Sequence, residues 1–327
     1  MKLLIELSLE SESLARSEAL SAACALGGSP RISLEDAGVL VIDTAADPLA
    51  LGARLGLAHH VSEWLGTVPL DDLDGLAGRV EVEGPIRVRS TKVGISKVDL
   101  GGASRRLGGI LGKKRGVDIH HPKSDIRVVF SSRVHMGRRL FTVDRASFEM
   151  RKNRYMPFVY PASLHPKFAR ALVNLTRVCR GGRLLDPFSG TGAIVAEAGM
   201  SGLQAIGSDF SERMIEGSKE NLHKLGVEAD LHLSDIGSIK KIVGLVDGIA
   251  TDPPYGRSTS TKGEKIPELY ERSFRAFREV LSKSGRVAMV VPHPSLLEKA
   301  AGFELLETHE LWVHQSLTRH FCVLKRI

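Results

Sequence analysis

Two short stretches of the sequence carry the residue types needed to bind a small ligand and act on it. The first is Asp-Pro-Phe-Ser-Gly-Thr-Gly at residues 186–192, between the apolar runs 183–185 and 193–196. The second is Asp-Pro-Pro-Tyr at residues 252–255, directly after the strand-like run 246–251. A glycine-rich turn between a strand and a helix lets the backbone approach a ligand closely. We therefore expect both stretches to meet at one binding site.

The glycine-rich turn differs from two common phosphate-binding motifs. It departs from the G-x-G-x-x-G spacing, and no Gly-Lys-Ser/Thr follows it, so neither a dinucleotide nor a triphosphate is favoured. Two further acids end the next strand-like runs, Asp209 after residues 204–208 and Asp235 after residues 230–234. The position of Asp209 suits a carboxylate that binds ribose hydroxyls in a doubly wound sheet. We expect Asp235 to face the exocyclic amine of an adenine.

The tetrapeptide Asp-Pro-Pro-Tyr after a glycine-rich first turn resembles the amino-methyltransferases of the Rossmann-like, S-adenosylmethionine-dependent class. The exocyclic amine of a nucleobase is a poor nucleophile, because its lone pair is delocalised into the ring. Asp252 and the carbonyl before the rigid proline pair would accept its N–H groups, and Tyr255 would stack on the base. The resemblance implies that Asp252, Pro253 and Tyr255 are catalytic.

The same resemblance implies a site for S-adenosyl-L-methionine around the first turn. The predicted cofactor-binding residues are Asp186, Phe188, Ser189, Gly190, Thr191, Gly192, Asp209, Phe210, Asp235, Ile236, Pro161, Ala162 and Ser163. The last three are included by resemblance alone, since the segment before the first strand covers the cofactor in this class. We also expect a helix over residues 163–175 with Ser163 as its N-cap. The alternative is that the two stretches are ordinary turns without a ligand. That explains either stretch alone, but it is disfavoured when both occur together in this order.

Composition indicates a globular protein of 327 residues with 43% hydrophobic residues. No run of about 18 apolar residues is present, and the amino terminus lacks a signal-peptide pattern, so we expect a cytoplasmic protein. Three widely spaced cysteines suggest neither a disulfide framework nor a zinc site. The pairs His59-His60 and His120-His121 lack partners at ligand spacing, so we expect no metal.

Positive charge is concentrated in the middle of the chain. The whole sequence has a formal net charge of +7, with −8 over residues 1–78 and +12 over residues 79–158. A segment of one sign is typical of a surface that binds a polyanion. The alternative is a generally basic, solvated surface.

The basic middle segment resembles the THUMP domain, an RNA-binding module of tRNA-modifying enzymes. The resemblance lies in the Arg-Val-Arg strand at residues 87–89, the turn 117–119 and the strand 126–130. The predicted RNA-binding residues are Arg87, Arg89, Lys113, Lys114, Arg115, Arg138, Arg139, Arg151, Lys152 and Arg154.

The order of these parts resembles the archaeal tRNA guanosine-10 N2-methyltransferase family across nearly the whole chain. We expect an α/β protein, in which a Rossmann-like class I methyltransferase sheet follows an N-terminal α+β region that contains the THUMP-like domain. The predicted parts are a ferredoxin-like unit at residues 1–60, the THUMP-like domain at 61–148, a linker at 149–162 and the methyltransferase domain at 163–327. Ser189 is a departure, because cysteine is expected there in many members.

The family resemblance implies N2-methylation and then N2,N2-dimethylation of guanosine at position 10 of tRNA. We expect a monomer that binds tRNA and neither a membrane nor a metal. The sequence alone leaves open whether one or two methyl groups are transferred. Three alternatives stay open: a THUMP methylase that acts at another tRNA guanosine, a DNA amino-methyltransferase, and a non-catalytic RNA-binding module with a relict cofactor fold.

Overall fold

The structure, a computed structural model, describes residues 1–94, 98–113, 115–161, 163–255, 263–314 and 317–327. Two predicted site residues, Lys114 and Ala162, lie outside the described residues. Most of the polar segment 256–263, which follows the second motif, also lies outside the described residues. No helix in the described part of the chain is long and apolar enough to cross a membrane.

The amino-terminal part of the chain contributes a first set of strands and helices. In chain order they are β1 (Lys2–Leu7), α1 (Glu12–Ala25), β2 (Arg31–Asp36), β3 (Val39–Asp43), α2 (Pro48–Arg54), β4 (Ala58–Val68), α3 (Leu73–Arg79), β5 (Ile86–Lys92), α4 (Leu100–Gly112), β6 (Ser124–Phe130) and β7 (Val134–Thr142). The strands form one sheet in the order β2-β3-β1-β4-β7-β6-β5. In this sheet β5 and β6 are parallel, and the other described neighbours are antiparallel.

The predicted boundary between residues 60 and 61 falls inside β4. This strand pairs with β1 on one edge and with β7 on the other, so a single sheet spans the two segments. Contacts divide the chain into two compact units, the first of residues 1–12, 27–53 and 58–143. The second contains most of α1, the short segment 54–57 and residues 144–327. The finer division into four parts stays a prediction.

The remaining elements belong to the second unit. They are α5 (Arg145–Met150), α6 (Pro166–Leu175), β8 (Arg183–Asp186), α7 (Ala193–Met200), β9 (Gln204–Asp209), α8 (Glu212–Leu225), β10 (Asp230–Leu233), α9 (Lys240–Val243), β11 (Val246–Thr251), α10 (Ile266–Val280), β12 (Leu281–Val291), β13 (Phe303–His314) and β14 (Leu317–Arg326). Their strands form a sheet in the order β10-β9-β8-β11-β12-β14-β13. The five strands from β10 to β12 are parallel, and β14 and β13 are antiparallel additions. This sheet confirms the predicted α/β fold class.

Apolar packing fixes the parallel strands in the second unit. The strand β11 is buried over most of its length, as expected for a strand covered on both faces. The helix α10 buries Phe274 and Phe277 in the same cluster as Ile249 and Val287 of the sheet. Because parallel strands end at one edge of the sheet, the residues that follow β8, β9, β10 and β11 are brought together there.

Candidate active site

The glycine-rich turn between β8 and α7 has a backbone that requires glycine at two positions. Gly190 has φ of +49° and Gly192 has φ of +81°, both in the left-handed region. A Cβ atom on Gly192 would also lie 2.3 Å from the Ser218 hydroxyl oxygen on α8. The two glycines therefore allow α7 to begin directly at the turn, against α8.

Asp209, at the end of β9, holds this turn from the neighbouring strand. Its Oδ2 accepts a hydrogen bond of 3.1 Å from the Gly190 N–H, and its Oδ1 accepts one of 2.9 Å from the Ser211 N–H. Burial raises the pKa of the Asp209 carboxyl, and these backbone bonds oppose the rise. The carboxylate is thus fixed in position at the edge of the cavity described below.

Asp186, at the end of β8, joins the first motif to the second. Thr251, the last residue of β11, donates a hydrogen bond of 2.7 Å from Oγ1 to Asp186 Oδ1, which also accepts one of 3.2 Å from the Phe188 N–H. Burial raises the pKa of Asp186 to about 7, and the nearby carboxylates of Asp252 and Asp209 add to the rise. Three carboxyl groups therefore converge at this edge of the sheet.

Asp252, the carboxylate of the second motif, directly follows β11. The Tyr255 hydroxyl donates a hydrogen bond to Asp252 Oδ1. Burial raises the pKa of Asp252 to about 6, whereas the guanidinium of Arg319 and the Tyr255 bond lower it. At neutral pH the carboxylate is therefore mostly ionised, within reach of a cationic side chain from β14.

A cavity of about 340 Å³ lies over these residues. It is lined by Tyr160, Pro161, Ser163, Leu164, Asp186, Phe188, Ser189, Gly190, Thr191, Ala193, Ile194, Asp209, Phe210, Ser211, Arg213, Met214, Asp252 and Pro254. Most of the predicted cofactor-binding residues are thus brought together around one space. Of the predicted residues on the two motifs, Gly192, Pro253 and Tyr255 do not line it, and Pro253 is buried.

The predicted residues Asp235 and Ile236 line a neighbouring cavity of about 270 Å³, which shares Phe188, Phe210 and Pro254 with the first. There Asp235 accepts a hydrogen bond of 2.8 Å from the Gly237 N–H and forms an ion pair with Arg272 on α10. Arg272 also pairs with Glu264 at 2.7 Å. Asp235 is therefore at the expected edge of the site, but its carboxylate is engaged by a cation.

The segment before α6 is fixed to the glycine-rich turn. Asn221 on α8 donates hydrogen bonds of 3.0 Å to the carbonyls of Phe158 and Thr191, and its Oδ1 accepts one of 2.9 Å from the Phe158 N–H. The Ser163 and Thr191 hydroxyls are 2.8 Å apart and hydrogen-bonded. The Phe158 ring packs on Gly217, where a Cβ atom would lie 2.2 Å from it. The predicted covering segment is thus held in place by α8.

The prediction that Ser163 caps a helix over residues 163–175 is wrong at its start. The helix α6 begins at Pro166, and His165 is its N-cap, accepting a bond of 3.2 Å from the Lys167 N–H. Proline disfavours a helical conformation in the residue before it and is well suited to the first helical position. Ser163 is therefore outside the helix, and its hydroxyl forms a hydrogen bond with the Thr191 hydroxyl instead.

Sequence reasoning missed several residues that shape the site. Asn221, Thr251 and Arg319 act through contacts between distant segments, for which the sequence offers no local signal. Pro254 stands inside the recognised motif and lines the cavity in place of Pro253. Arg213 also lines it and lies over the Phe158 ring, with 5.7 Å between its guanidinium carbon and the ring centre.

Several of the predicted RNA-binding residues in the first unit are paired with acids. Arg87 and Arg139 both contact the buried Asp125 carboxylate, the latter at 2.6 Å. Arg138 pairs with Glu63 at 2.6 Å, and Arg115 is partly buried, 3.5 Å from the Val80 carbonyl oxygen. By contrast, Arg89 and Lys113 are exposed and form no ion pair with any described residue. In the first unit, these two are the described cations of the set that are most open to a phosphate.

In the second unit, Arg151 has a partner that gives it a structural role. Its side chain is 13% exposed and binds the buried Glu197 carboxylate of α7 at 2.8 Å, which Arg170 of α6 also binds at 2.8 Å. This placement argues against the predicted RNA contact of Arg151, because releasing it would leave a buried carboxylate short of one partner. Lys152 pairs with Glu149, and Arg154 is exposed over the Tyr155 ring.

Among the described residues, no group of three or more His, Cys, Asp or Glu side chains is placed to hold a metal ion.

Comparison with protein families and curated relatives identifies similar proteins. Residues 153–320 match the family model described as RMKL-like, methyltransferase domain. The chain is 35% identical to the tRNA (guanine(10)-N2)-dimethyltransferase of Methanothermobacter thermautotrophicus, over 100% of both proteins. It is 32% identical to the protein of the same name from Pyrococcus abyssi, over 90% of this chain and 91% of the relative. It is also 28% identical to the tRNA (guanine(6)-N2)-methyltransferase of Thermus thermophilus, over 78% of this chain and 80% of the relative.

Solved structures share the fold over the whole chain. The crystal structure of TrmN from Thermus thermophilus has a TM-score of 0.55 at 24% identity, with 100% of both chains covered. The structure of SMU.472 complexed with SAH has a TM-score of 0.56 at 14% identity and covers 100% of this chain and 98% of the other. At these identities the likeness shows the fold alone.

Proposed function

The chain belongs to the archaeal tRNA (guanine-10 N2)-methyltransferase family, and from that premise we propose that it transfers methyl groups from S-adenosyl-L-methionine to N2 of guanosine 10 in tRNA. The curated relatives are enzymes of tRNA guanine N2-methylation, and the fold is that of a methyltransferase. The single observation that carries the chemistry is the placement of the Asp252 carboxylate, mostly ionised at neutral pH, in the wall of the cavity beside the glycine-rich turn.

The cavity has the polar groups that this cofactor requires. Carboxyl groups of Asp186, Asp209 and Asp252 line it, which favours a ligand with positive charge and hydroxyl groups, as the sulfonium, ammonium and ribose provide. The buried Ser189 hydroxyl in its wall has no hydrogen-bond partner among the described residues. A volume of about 340 Å³ is within the range of small-molecule sites. The residues present therefore fit the cofactor, which would be held by the turn, by Asp209 and by the covering segment.

When bound, the cofactor supplies an electrophilic methyl group on sulfur. The role of the protein would be to hold the guanine amine in line with the bond between the methyl group and sulfur. Asp252 would accept one N–H of the amine, which shifts electron density toward the nitrogen lone pair. Pro253 and Pro254 have restricted backbone torsions, so the carbonyls of this segment are held in one orientation before the base binds. Catalysis is then mainly positioning with electrostatic support.

A proton must leave the amine when it is methylated. With a pKa of about 6, Asp252 is ionised at neutral pH and close enough to the operating pH to accept that proton. The Tyr255 hydroxyl, which donates to Oδ1, fixes the orientation of the carboxylate. Tyr255 is therefore a positioning residue in this proposal, and its predicted stacking on the base is a second role that the same ring can serve.

Binding of tRNA would depend on exposed cations. Arg89 and Lys113 of the first unit and Arg154 of the second are exposed members of the predicted set. Contacts of this kind go to phosphates and weaken steeply with salt. The target base has to leave its stack to reach Asp252, as in other enzymes that modify a base.

We further propose two successive transfers, a monomeric enzyme and a cytoplasmic location. After the first transfer the amine keeps one hydrogen, so Asp252 has an N–H to accept in the second round as well. A relative that matches over its whole length is named a dimethyltransferase, which supports this order.

Nucleoside mapping tests the proposal. The protein is incubated with labelled S-adenosylmethionine and an unmodified tRNA transcript, and a transcript with adenosine at position 10 serves as the matched control. We expect N2-methylguanosine that converts with time to N2,N2-dimethylguanosine, at position 10 alone. Methylation at another guanosine would retain the enzyme and change its target position. Transfer to DNA and not to tRNA would overturn the proposal.

A further inference from the structure

The hairpin of β13 and β14 extends beyond the edge of the sheet at which the active site lies. The strand β12 ends at Val291, which pairs with His320 of β14. The hairpin continues past this point through the pairs Leu311↔Arg319 and Trp312↔Thr318. The three residues from His320 to Leu317 extend about 10 Å at roughly 3.3 Å per residue. We call the described residues 311–314 and 317–319 the overhanging arm.

The arm begins at the active site. Thr251 of β11 is level with Met289 of β12, so Asp252 enters the site close to the level at which β12 ends. The positive charge of Arg319 on the arm lowers the pKa of Asp252. The Arg319 Nε atom is buried and has no hydrogen-bond partner among the described residues. The base of the arm is thus already part of the electrostatics of the site.

Trp312 is the most exposed large apolar side chain on the described part of the arm. It is 69% exposed, whereas its neighbour Leu311 is 6% exposed, because successive residues of a strand point to opposite faces. The next residue, Val313, is 39% exposed. An indole ring held on a paired strand and left open to solvent is a suitable platform for stacking a nucleobase, which adds affinity without base specificity.

From this placement we infer that the overhanging arm is a nucleotide-binding surface, on which Trp312 stacks on an unpaired base of the tRNA next to the target guanosine. The inference deepens the proposed function and rests on it. Arg319 pairs with Leu311, so its side chain and the Trp312 ring are on opposite faces of the hairpin. The arm as a whole extends past the catalytic edge, and its occupant is the same polyanion that must deliver a base to Asp252. A base adjacent to an unstacked nucleotide loses a stacking neighbour, and the indole replaces that neighbour.

Three substitutions and one control test the inference. In Trp312→Ala the ring is removed, in Trp312→Leu it is replaced by an apolar group without a π face, and in Trp312→Phe a smaller aromatic ring is kept. The matched control is Leu305→Ala, since Leu305 is 48% exposed on the same strand at the opposite end of the sheet. Because all four changes are at exposed positions, Tm and affinity for S-adenosylmethionine should stay as in the wild type.

The readouts are KM for tRNA, single-turnover rate at saturating tRNA, and quenching of tryptophan fluorescence by tRNA. We expect Trp312→Ala and Trp312→Leu to raise the KM for tRNA roughly five- to 150-fold, the range of base–aromatic stacking, with Trp312→Phe intermediate and Leu305→Ala unchanged. Quenching should be smaller in Trp312→Phe than in the wild type, in which Trp64 is the only other tryptophan.

The outcomes separate this inference from the proposed function. A wild type that methylates tRNA, with Trp312→Ala indistinguishable from Leu305→Ala in KM and rate, overturns the inference and leaves the function intact. Equal KM values for Trp312→Leu and Trp312→Phe also overturn it, because contact area without stacking would explain them. A wild type that binds tRNA but does not methylate it contradicts the function itself, while the quenching comparison still tests the stacking.

Discussion

Thr251 Oγ1 donates a hydrogen bond of 2.7 Å to Asp186 Oδ1, and this bond connects the two motifs that carry the chemistry. Thr251 immediately precedes Asp252, the proposed catalytic residue, whereas Asp186 opens the glycine-rich turn. Both residues are buried, at 0% and 1% exposure. The bond therefore fixes the Asp-Pro-Pro-Tyr segment, proposed to hold the guanine amine, relative to the glycine-rich turn, proposed to hold the cofactor.

The first prediction concerns this bond. Thr251→Val keeps the side-chain shape but leaves Asp186 with one donor fewer, so the pKa of Asp186 should rise further. We expect a loss of about 1–3 kcal/mol in the free energy of unfolding, the usual consequence of an unsatisfied buried acceptor, together with weaker binding of S-adenosylmethionine. Chemical denaturation and calorimetric titration measure the two effects. Thr251→Ser, which keeps the hydroxyl, should remain close to the wild type in both, and equal losses for Ser and Val would contradict the role given to the bond.

The second prediction is a pH dependence set by Asp252. Its carboxylate accepts an N–H and a proton only when ionised, and its pKa is raised to about 6. The single-turnover rate should therefore be full above about pH 7 and fall as the pH is lowered through 6. Arg319 lowers this pKa, so Arg319→Gln should move the acid limb of the profile to higher pH, while Arg319→Lys should leave it nearly in place. An acid limb at the same pH in wild type and Arg319→Gln would show that another group titrates.

The third prediction concerns Asn221 on α8, which binds both Phe158 and Thr191. Asn221→Ala removes three hydrogen bonds between the covering segment, the turn and the helix. We expect the Kd for S-adenosylmethionine to rise at least tenfold, since the segment that borders the cavity loses its attachment. Asn221→Asp keeps the acceptor for the Phe158 N–H, so its Kd should be between those of the wild type and Asn221→Ala. The exposed neighbour Glu220, changed to Ala, is the control, and a Kd equal to that of the control would refute the positioning role.

Local patterns in the sequence predict the strands and both motifs of the second unit, because each strand is a short apolar run that ends in a turn residue. The same patterns do not predict which distant side chains meet. Nothing near Phe158 indicates that Asn221 holds it, and the register of the last hairpin alone brings Arg319 to Asp252. The start predicted for the covering helix is too early for a different reason, since the effect of Pro166 on His165 outweighs the capping preference of Ser163.

Charge patterns are predictive at the level of a segment and less so for single residues. The basic excess of residues 79–158 is evident in the sequence, but Asp125 neutralises part of it by contacting Arg87 and Arg139. These pairs join neighbouring strands of the first sheet, whose pairing the sequence does not specify. Exposure and ion pairing together therefore distinguish Arg89, Lys113 and Arg154 from the other described members of the predicted RNA-binding set.

The fourth prediction follows from that distinction. The double change Arg89→Ala and Lys113→Ala should weaken tRNA binding and reduce the slope of log K against log salt by about two, one for each phosphate that is no longer neutralised. Affinity for S-adenosylmethionine should stay unchanged. The control is Arg275→Ala on α10, an exposed arginine outside the predicted RNA-binding set. Filter binding over a salt series gives both the affinity for tRNA and the salt slope. An unaltered slope in the double variant would argue against phosphate binding at these positions.

The most direct test of the account compares Asp252→Asn with the wild type in a single-turnover assay, alongside binding of S-adenosylmethionine and tRNA. The amide is nearly isosteric with the carboxylate but carries no charge and accepts a proton poorly. We predict a fall in the methylation rate of at least about a hundredfold, with both affinities within about threefold of the wild type, consistent with the usual size of general acid–base effects. A rate close to that of the wild type, or a loss of activity matched by an equal loss of tRNA or cofactor binding, would contradict the assignment of Asp252 as the group that activates the guanine amine.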